Sequence, residues 1–121
     1  MKILVCEDDF MMLKTVEHKL IREGYEVELA QDGKIAFNLL KEKHFDLVVT
    51  DLLMPYSTGL EIIDLLRNQL KLNTPIIVLS KVGMEKTVLQ AFDMGTDDYI
   101  VKPFSPNELS IRIKRLIASR K

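Results

Sequence analysis

Residue types that would assign this chain to a special structural class are scarce or missing. Its 121 residues include a single cysteine and no tryptophan. One cysteine excludes an internal disulfide framework and is typical of a protein from a reducing compartment. The 17 basic and 18 acidic side chains nearly cancel, so no bulk charge attracts nucleic acid or an anionic membrane.

Segments for targeting or membrane insertion are also missing. The longest apolar runs fall far short of the roughly 20 residues that a bilayer-spanning helix requires. Acidic residues 7–9 interrupt the first apolar run, which argues against a signal peptide there. A chain of this length fits one domain and buries enough surface to fold without a disulfide or a metal. The composition therefore predicts a soluble, cytoplasmic, single-domain protein.

Short apolar runs alternate with longer segments of helical periodicity along the whole chain. Runs typical of β-strands are Ile3–Cys6, Val27–Ala30, Leu47–Thr50, Ile76–Leu79 and Tyr99–Val101. The third and fourth runs lack polar alternation, as expected for strands that are covered on both faces. A helical segment follows each run. This strict alternation predicts a doubly wound parallel sheet with helices on both faces.

Capping residues mark most of the predicted helix ends. Asp32 is placed to cap the start of the second helix, and Asp9 that of the first. Gly24 and Gly95 are placed to end the first and fourth helices, because glycine accepts the left-handed conformation found there.

The last helix has the clearest start signal, with Ser105 as N-cap, Pro106 in the first helical position and Glu108 completing a capping box. Apolar residues recur at helical spacing in this helix and in the first two. Those predicted to face the core are Phe10, Leu13, Val16, Leu20, Ile35, Ala36, Leu39, Leu40, Leu109, Ile113 and Leu116.

Polar residues follow four of the predicted strands. They are Glu7, Asp8 and Asp9 after the first, Asp51 after the third, Ser80 after the fourth and Lys102 after the fifth. Taken singly, each has an ordinary explanation as a helix cap or a solvated loop residue. In a parallel sheet, however, the functional site lies at the carboxyl ends of the strands, so we expect these residues to meet.

The acidic residues among them predict a metal site. Two carboxylates about 4 Å apart repel by about 4 kcal/mol at an effective dielectric near 20. Glu7, Asp8 and Asp51 together therefore cost stability unless protonation or a cation relieves the repulsion. Oxygen ligands without histidine or cysteine favour Mg²⁺. His18 and His44 lie within or beside predicted helices, away from this edge, and are expected to be structural or solvated.

A carboxylate, a divalent metal, an ammonium and a hydroxyl around one point are the groups that phosphoryl transfer requires. Asp51 would be the nucleophile that forms an aspartyl-phosphate. The metal and Lys102 would neutralise charge on the phosphoryl oxygens, and Ser80 would donate a hydrogen bond to one of them.

Four stretches of the chain resemble the receiver domain of bacterial two-component response regulators. They are ILVCEDD (Ile3–Asp9), DLVVTDLLMP (Asp46–Pro55), PIIVLS (Pro75–Ser80) and GTDDYIVKPFSPNEL (Gly95–Leu109). Their order and spacing extend the resemblance over essentially the whole chain. It implies a (βα)₅ flavodoxin-like fold with strand order 2-1-3-4-5. Residues 1–121 would be a single receiver domain, either a complete protein or the N-terminal part of a longer regulator.

The resemblance also implies roles for the residues at the site. Asp51 would accept a phosphoryl group from the phosphohistidine of a sensor histidine kinase. Asp8, Asp51 and the main-chain carbonyl of Leu53 would ligate Mg²⁺, and Glu7 would hold the ion through water.

Further roles implied by the resemblance concern the switch. Ser80 and Lys102 would contact the phosphoryl oxygens, and the Lys102–Pro103 peptide bond would be cis. Tyr99 matches an aromatic residue that turns inward when the residue equivalent to Ser80 moves toward the phosphate. An alternative role for Tyr99 is that of an aromatic residue at the edge of the core.

The segment from Gly95 onward looks most like receivers that precede a winged-helix DNA-binding domain. Contact with DNA would then need a further domain. Such receivers form homodimers through the fourth helix, fifth strand and fifth helix. The matching positions here are Asp97, Asp98, Glu108, Arg112 and Lys114, with an apolar patch of Leu89, Phe92 and Ile111. Val88 stands where a basic residue usually pairs with the equivalent of Glu108, a surface pair worth about 1 kcal/mol or less.

The site itself departs from the family pattern at three positions. Lys81 stands where the family usually has a small residue, and its side chain either points outward or adds a second cation. Leu53 and Val82 flank the phosphoryl group and are aliphatic, so neither can orient a hydrolytic water. This predicts that Asp51 would lose a phosphoryl group slowly.

Three other functions compete with this one. A phosphatase of the haloacid-dehalogenase type uses similar groups, but its nucleophile follows the first strand in an Asp-x-Asp pair that residues 7–9 lack. A flavodoxin-like cofactor carrier needs hydroxyls and backbone donors after the first strand, where this chain has acids. A receiver that binds partners without phosphorylation remains the third alternative.

Overall fold

The computed structural model describes residues 1–120. Its strands are β1 (Lys2–Cys6), β2 (Glu26–Ala30), β3 (Leu47–Asp51), β4 (Ile76–Ser80) and β5 (Asp98–Val101). They form one sheet in the order β2-β1-β3-β4-β5, and all four neighbouring pairs are parallel. The predicted strands and their order are confirmed, with ends that differ by at most one residue. Parallel neighbours place the carboxyl ends of all strands at one edge.

Five helices connect or follow these strands. They are α1 (Phe10–Arg22), α2 (Gly33–Glu42), α3 (Gly59–Asp64), α4 (Glu85–Met94) and α5 (Pro106–Ser119), and a π-helical turn, Leu65–Gln69, extends α3. Within residues 1–120, no helix combines the length and apolar character needed to cross a bilayer. A helix follows each strand, as predicted, but the π-helical turn was not predicted.

Two apolar layers cover the sheet, one on each face. Side chains alternate between the faces along each strand, so Leu4 belongs to the layer under α2, α3 and α4, whereas Ile3 belongs to the layer under α1 and α5. Burial on both faces explains why the central strands read as continuous apolar runs. Cys6 lies in the first layer, and burial raises the pKa of its thiol to about 12. It is an unreactive core residue.

The predicted caps form at four helix ends. The Asp9 carboxylate accepts a hydrogen bond from the Met12 amide, and Asp32 accepts one from the Ile35 amide. The backbone of Gly24 has φ +95° and that of Gly95 has φ +114°, values at which a β-carbon would be strained.

Only one of the two hydrogen bonds of the capping box predicted at α5 is present, so this prediction is wrong in part. The Ser105 hydroxyl accepts a hydrogen bond from the Glu108 amide, but the Glu108 carboxylate pairs with Arg112 instead of returning to the cap. A reciprocal capping box forms at α3, between Thr58 and Glu61, where the sequence analysis did not place one.

Two residues predicted to face the core are exposed. Phe10 is 57% exposed and Ile35 is 42% exposed. Both lie in the first turn of their helices, which begins at the rim of the layer rather than over the sheet. The other residues predicted to face inward are buried or partly buried in the two layers.

Candidate functional site

Three carboxylates meet where β1 and β3 end. These strands are neighbours in the sheet, with Cys6 opposite Thr50, so Glu7 and Asp51 emerge side by side. Oxygen atoms from Glu7, Asp8 and Asp51 all lie within 4.8 Å of one another. Glu7 is 1% exposed and Asp51 is 3% exposed, whereas Asp8 is exposed. The predicted acidic cluster is therefore present and largely shielded from water.

One ammonium group holds two of these carboxylates together. Lys102 follows β5, and its Nζ lies 2.6 Å from Oδ2 of Asp51 and 2.8 Å from Oε2 of Glu7. The other Asp51 oxygen, Oδ1, accepts a hydrogen bond from the Leu53 amide at 3.3 Å. Lys102 thus supplies a positive charge that relieves the repulsion between Glu7 and Asp51.

The pKa values of this cluster reflect burial and charge together. Burial raises the pKa of the Glu7 carboxyl to about 7, with Asp51 adding to the increase and Lys102 opposing it. Burial alone lowers the pKa of the Lys102 ammonium, but its hydrogen bonds to Asp51 and Glu7 outweigh burial and raise that pKa. Lys102 is therefore charged near neutral pH, whereas Glu7 sits near its midpoint of ionisation.

Ser80 lies beside Lys102 and has an unused hydroxyl. The Lys102 amide donates to the Ser80 carbonyl at 2.7 Å, which ties the ends of β4 and β5 together. The Ser80 side chain is 1% exposed, and its Oγ has no hydrogen-bond partner among residues 1–120. A buried hydroxyl without a partner costs about 1–3 kcal/mol. An acceptor placed between Ser80 and Lys102 would remove that cost.

The turn after β3 fixes the backbone of Asp51. The Gly59 amide donates to the Leu52 carbonyl at 3.0 Å, so the start of α3 packs directly on the end of β3. A β-carbon at Gly59 would lie 2.5 Å from the Asp51 carbonyl oxygen, too close for any other residue without a shift of the strand. No local pattern in the sequence indicated this role of Gly59.

The cis peptide bond predicted at Lys102–Pro103 is present. Beyond it, Tyr99 lies on the outer side of the molecule rather than inside. Its ring is 38% exposed and meets the Phe92 ring edge to face, with 5.8 Å between centroids. A cavity of about 430 Å³ lies between α4 and β5, with Ser80 and Tyr99 both in its lining. The structure therefore leaves room beside Tyr99 on the path toward Ser80.

The residues predicted at a dimer interface lie on α4, on α5 and at or just before the start of β5, and they differ in exposure and in partners. Leu89 is 65% exposed and Ile111 is 60% exposed, with Phe92 nearby on α4. Arg112 joins Asp98 at 2.9 Å and Glu108 at 3.3 Å within the chain. Val88, which stands where the family usually has a basic residue, is a buried residue of α4.

Two of the predicted interface charges make contacts elsewhere in the chain. Asp97 pairs with Arg67 at 3.2 Å and with Arg120 at 2.7 Å, and it also accepts a hydrogen bond from the Ile76 amide. Lys114 lies 3.6 Å from Glu23 of the α1 end. Arg67 was not singled out from the sequence, because only the π-helical turn directs it toward the end of α4.

The three residues that depart from the family pattern line the rim of the site. Leu53 is 48% exposed and Val82 is 79% exposed. Lys81, between Ser80 and Val82, is exposed as well. Leu53 lies two residues beyond Asp51 and Val82 two residues beyond Ser80, so the loops that follow β3 and β4 each carry an exposed aliphatic side chain, with Lys81 next to Val82. His18 and His44 are exposed and lie outside the acidic cluster, as expected.

A sequence model of the family described as response regulator receiver domain matches residues 3–114. The transcriptional regulatory protein ResD of Bacillus subtilis (strain 168) is 41% identical over 116 residues, which are 96% of this chain and 48% of that protein. The chain spans about half the length of the curated relatives it matches.

Solved structures agree with the sequence relatives. The receiver domain of the Francisella response regulator 1452 has a TM-score of 0.90 and 36% identity, covering 99% of this chain and 98% of that one. The chemotaxis response regulator CheY4 of Vibrio cholerae has a TM-score of 0.84 and 34% identity, covering 94% of this chain and 96% of that one. Both likenesses extend over nearly the whole chain.

Replacement of Glu7 by glutamine tests the electrostatics of the cluster in metal-free buffer. Glu7 has an ordinary pKa of 4.5 when unfolded and about 7 when folded, so the unfolded chain releases this proton first as pH rises. The free energy of unfolding should therefore fall between pH 4.5 and 7, by about 3 kcal/mol at most from this group. Urea unfolding at a series of pH values, with a chelator present, measures this free energy.

In Glu7→Gln the contribution of this group disappears, so the variant should become more stable relative to the original chain as pH rises from 4.5 to 7. If the free energy of unfolding changed with pH equally in the two proteins, the assignment of the raised pKa to Glu7 would be contradicted.

Proposed function

This chain belongs to the response regulator receiver domain family, and we propose that Asp51 is its phosphoacceptor. Receiver domains are the signalling domains of two-component response regulators rather than enzymes. The observation that carries the proposal is the buried Asp51 carboxylate, held 2.6 Å from Lys102 within an acidic cluster. The family assignment decides against the haloacid-dehalogenase-type phosphatase and the flavodoxin-like carrier.

The phosphoryl group would come from the phosphohistidine of a sensor histidine kinase. An Asp51 carboxylate oxygen attacks the phosphorus atom while the bond from phosphorus to the histidine nitrogen breaks, and the nitrogen keeps the electron pair. Lys102 would then hold one phosphoryl oxygen and Ser80 would donate to another, which gives its unpaired hydroxyl an acceptor.

Receiver domains bind Mg²⁺ at an acidic pocket, and the donor atoms here fit that ion. The converging oxygens of Glu7, Asp8 and Asp51 are hard ligands of the kind Mg²⁺ prefers. We assign Asp8, Asp51 and the main-chain carbonyl of Leu53 as direct ligands, with Glu7 acting through water. When bound, the ion supplies positive charge next to the phosphoryl oxygens.

The switch would link this site to the surface of α4. If Ser80 moves toward the phosphoryl group, the cavity beside it becomes free for the Tyr99 ring, which now lies outside against Phe92. Phosphorylation then favours a second arrangement of the same domain through the contacts that only the phosphorylated form makes. The exposed face of α4 and β5 would differ between the two states.

The exposed face of α4 and β5 would carry the output of the switch, as a dimer interface. The apolar patch of Leu89, Phe92 and Ile111 would join two phosphorylated copies, with Asp98, Glu108 and Arg112 at its margin. Asp97 and Lys114 would have to leave their present partners to join them.

Sedimentation of the phosphorylated domain tests whether phosphorylation causes dimerisation. A purely monomeric phosphorylated sample would contradict it.

The regulated process would be transcription in the cytoplasm, through a further domain that contacts DNA. ResD, which shares 41% identity with this chain, is named a transcriptional regulatory protein. The net charge of the chain is −1, so the domain itself offers no general attraction to DNA.

The phosphoacceptor is tested by incubation with acetyl phosphate and Mg²⁺, followed by intact-mass measurement. The original chain should gain the mass of one phosphoryl group, and chelation of Mg²⁺ should suppress the gain. Asp51→Asn should show no stable gain, because an amide cannot form the acyl phosphate. Asp93→Asn, which changes an exposed acid on α4, should label like the original chain.

Retained labelling of Asp51→Asn at another residue would overturn the assignment. Absence of labelling in the original chain and in Asp93→Asn would instead favour a receiver that works without phosphorylation.

Slow loss of the phosphoryl group is tested at Leu53. An asparagine there can orient a water molecule toward the phosphorus atom, whereas leucine cannot. A hydrogen bond of ordinary strength gives about a fivefold faster decay of phosphorylated Leu53→Asn. Leu53→Ala is the control, because it shortens the side chain without adding a polar group.

Decay is followed by intact mass after removal of the phosphodonor. If the original chain loses its phosphoryl group as rapidly as Leu53→Asn, the aliphatic rim does not protect the acyl phosphate. Equal acceleration by Leu53→Ala would assign the effect to access rather than to water orientation.

A further inference from the structure

The proposed phosphoacceptor site faces an electrostatic difficulty of its own. Three carboxylates converge there, and the one ammonium among them is shared between Glu7 and Asp51. Phosphodonors are themselves anions, and with Mg²⁺ bound the ion and Lys102 only balance the three carboxylates, so the site has no net positive charge left to attract a donor. Any free cation at the rim would favour the approach of a donor.

Lys81 is such a cation. It directly follows Ser80, its side chain is exposed, and no carboxylate of residues 1–120 pairs with it. Lys102, by contrast, is only 13% exposed and is already bound to two acids. Lys81 therefore keeps its full charge available to a molecule arriving from solvent.

The sheet register places the backbone of Lys81 close to the acceptor residue. Asp51 lies opposite Leu79 in the β3–β4 pair, and the Leu52 amide donates to the Leu79 carbonyl at 3.0 Å. Lys81 is the second residue beyond Leu79, on the loop that leaves β4 at the edge of the site. Lys81 is exposed there, and it lines the same cavity as Ser80.

We propose that Lys81 attracts anionic acyl phosphates to the site and so sets the rate at which they phosphorylate Asp51. This inference rests on the proposed role of Asp51. In the reaction, an Asp51 oxygen bonds to phosphorus as the bond from phosphorus to the acyl oxygen breaks, and the carboxylate leaves with the electron pair. Lys81 acts on the encounter that precedes this step.

The expected size of the effect is modest and depends on salt. A unit cation acting through water on a dianion roughly 8 Å away changes the encounter rate by about fivefold at low ionic strength. The screening length falls to about 3 Å in 1 M salt, so most of the effect disappears there. A steric or structural role of Lys81 would not depend on salt in this way.

Lys81→Met tests the proposal, because methionine keeps an unbranched chain but removes the charge. The measured quantity is the initial rate of labelling of the whole chain by acetyl phosphate at saturating Mg²⁺, in low and in high KCl. Lys81→Met should label about fivefold more slowly at low salt and nearly as fast as the original chain at high salt. With phosphoramidate, a donor of smaller negative charge, the difference should shrink.

Lys71→Met is the matched control. Lys71 is also exposed but precedes β4, at the opposite edge of the sheet, so its replacement changes the net charge equally without changing the site. It should label like the original chain at every salt concentration.

Equal rates for Lys81→Met and the original chain at low salt would overturn the proposal. A deficit that stays constant as salt rises, or faster labelling by Lys81→Met, would also overturn it and indicate a steric role. Failure of the Asp51 assignment is separate, since it appears as labelling that persists in Asp51→Asn.

Discussion

The structure depends on one electrostatic constraint, the crowding of carboxylates at the ends of β1 and β3. Oxygens of Glu7, Asp8 and Asp51 lie within 4.8 Å of one another, largely away from water. Lys102, which follows the outermost strand β5, balances only part of that charge. The remaining excess makes the site receptive to a hard dication, and the strand order 2-1-3-4-5 is what brings these residues together.

The same edge connects the acidic cluster to the surface of α4. The Ser80 hydroxyl is buried and has no hydrogen-bond partner among residues 1–120, and the cavity beside it extends to Tyr99 and Phe92 at the outside. A new acceptor at the site would therefore change the contacts of Ser80 first. At the other end of α4, Arg67 holds the Gly95 carbonyl with two hydrogen bonds, so that end of the helix is fixed.

Sequence patterns predicted the strands, the caps at Asp9 and Asp32, and the acidic cluster, because each depends on local chemistry or on where a strand ends. They did not predict that Lys102 bridges two carboxylates, since that contact is set by side-chain conformation across three strands. They also did not predict that Phe10 is exposed, because the position of the rim of the apolar layer under α1 depends on tertiary packing. The π-helical turn and its Arg67 contacts are also tertiary in origin, because no local signal distinguishes that turn from α-helix.

If a divalent cation relieves the repulsion in this cluster, the cation must stabilise the folded chain, and urea unfolding with and without Mg²⁺ measures that stabilisation. Mg²⁺ should raise the free energy of unfolding, by about 2.7 kcal/mol at a concentration one hundred times the dissociation constant. Asp8→Asn should lose most of this gain. An unfolding free energy that is unchanged by millimolar Mg²⁺ in the original chain would show that the carboxylates do not share a dication.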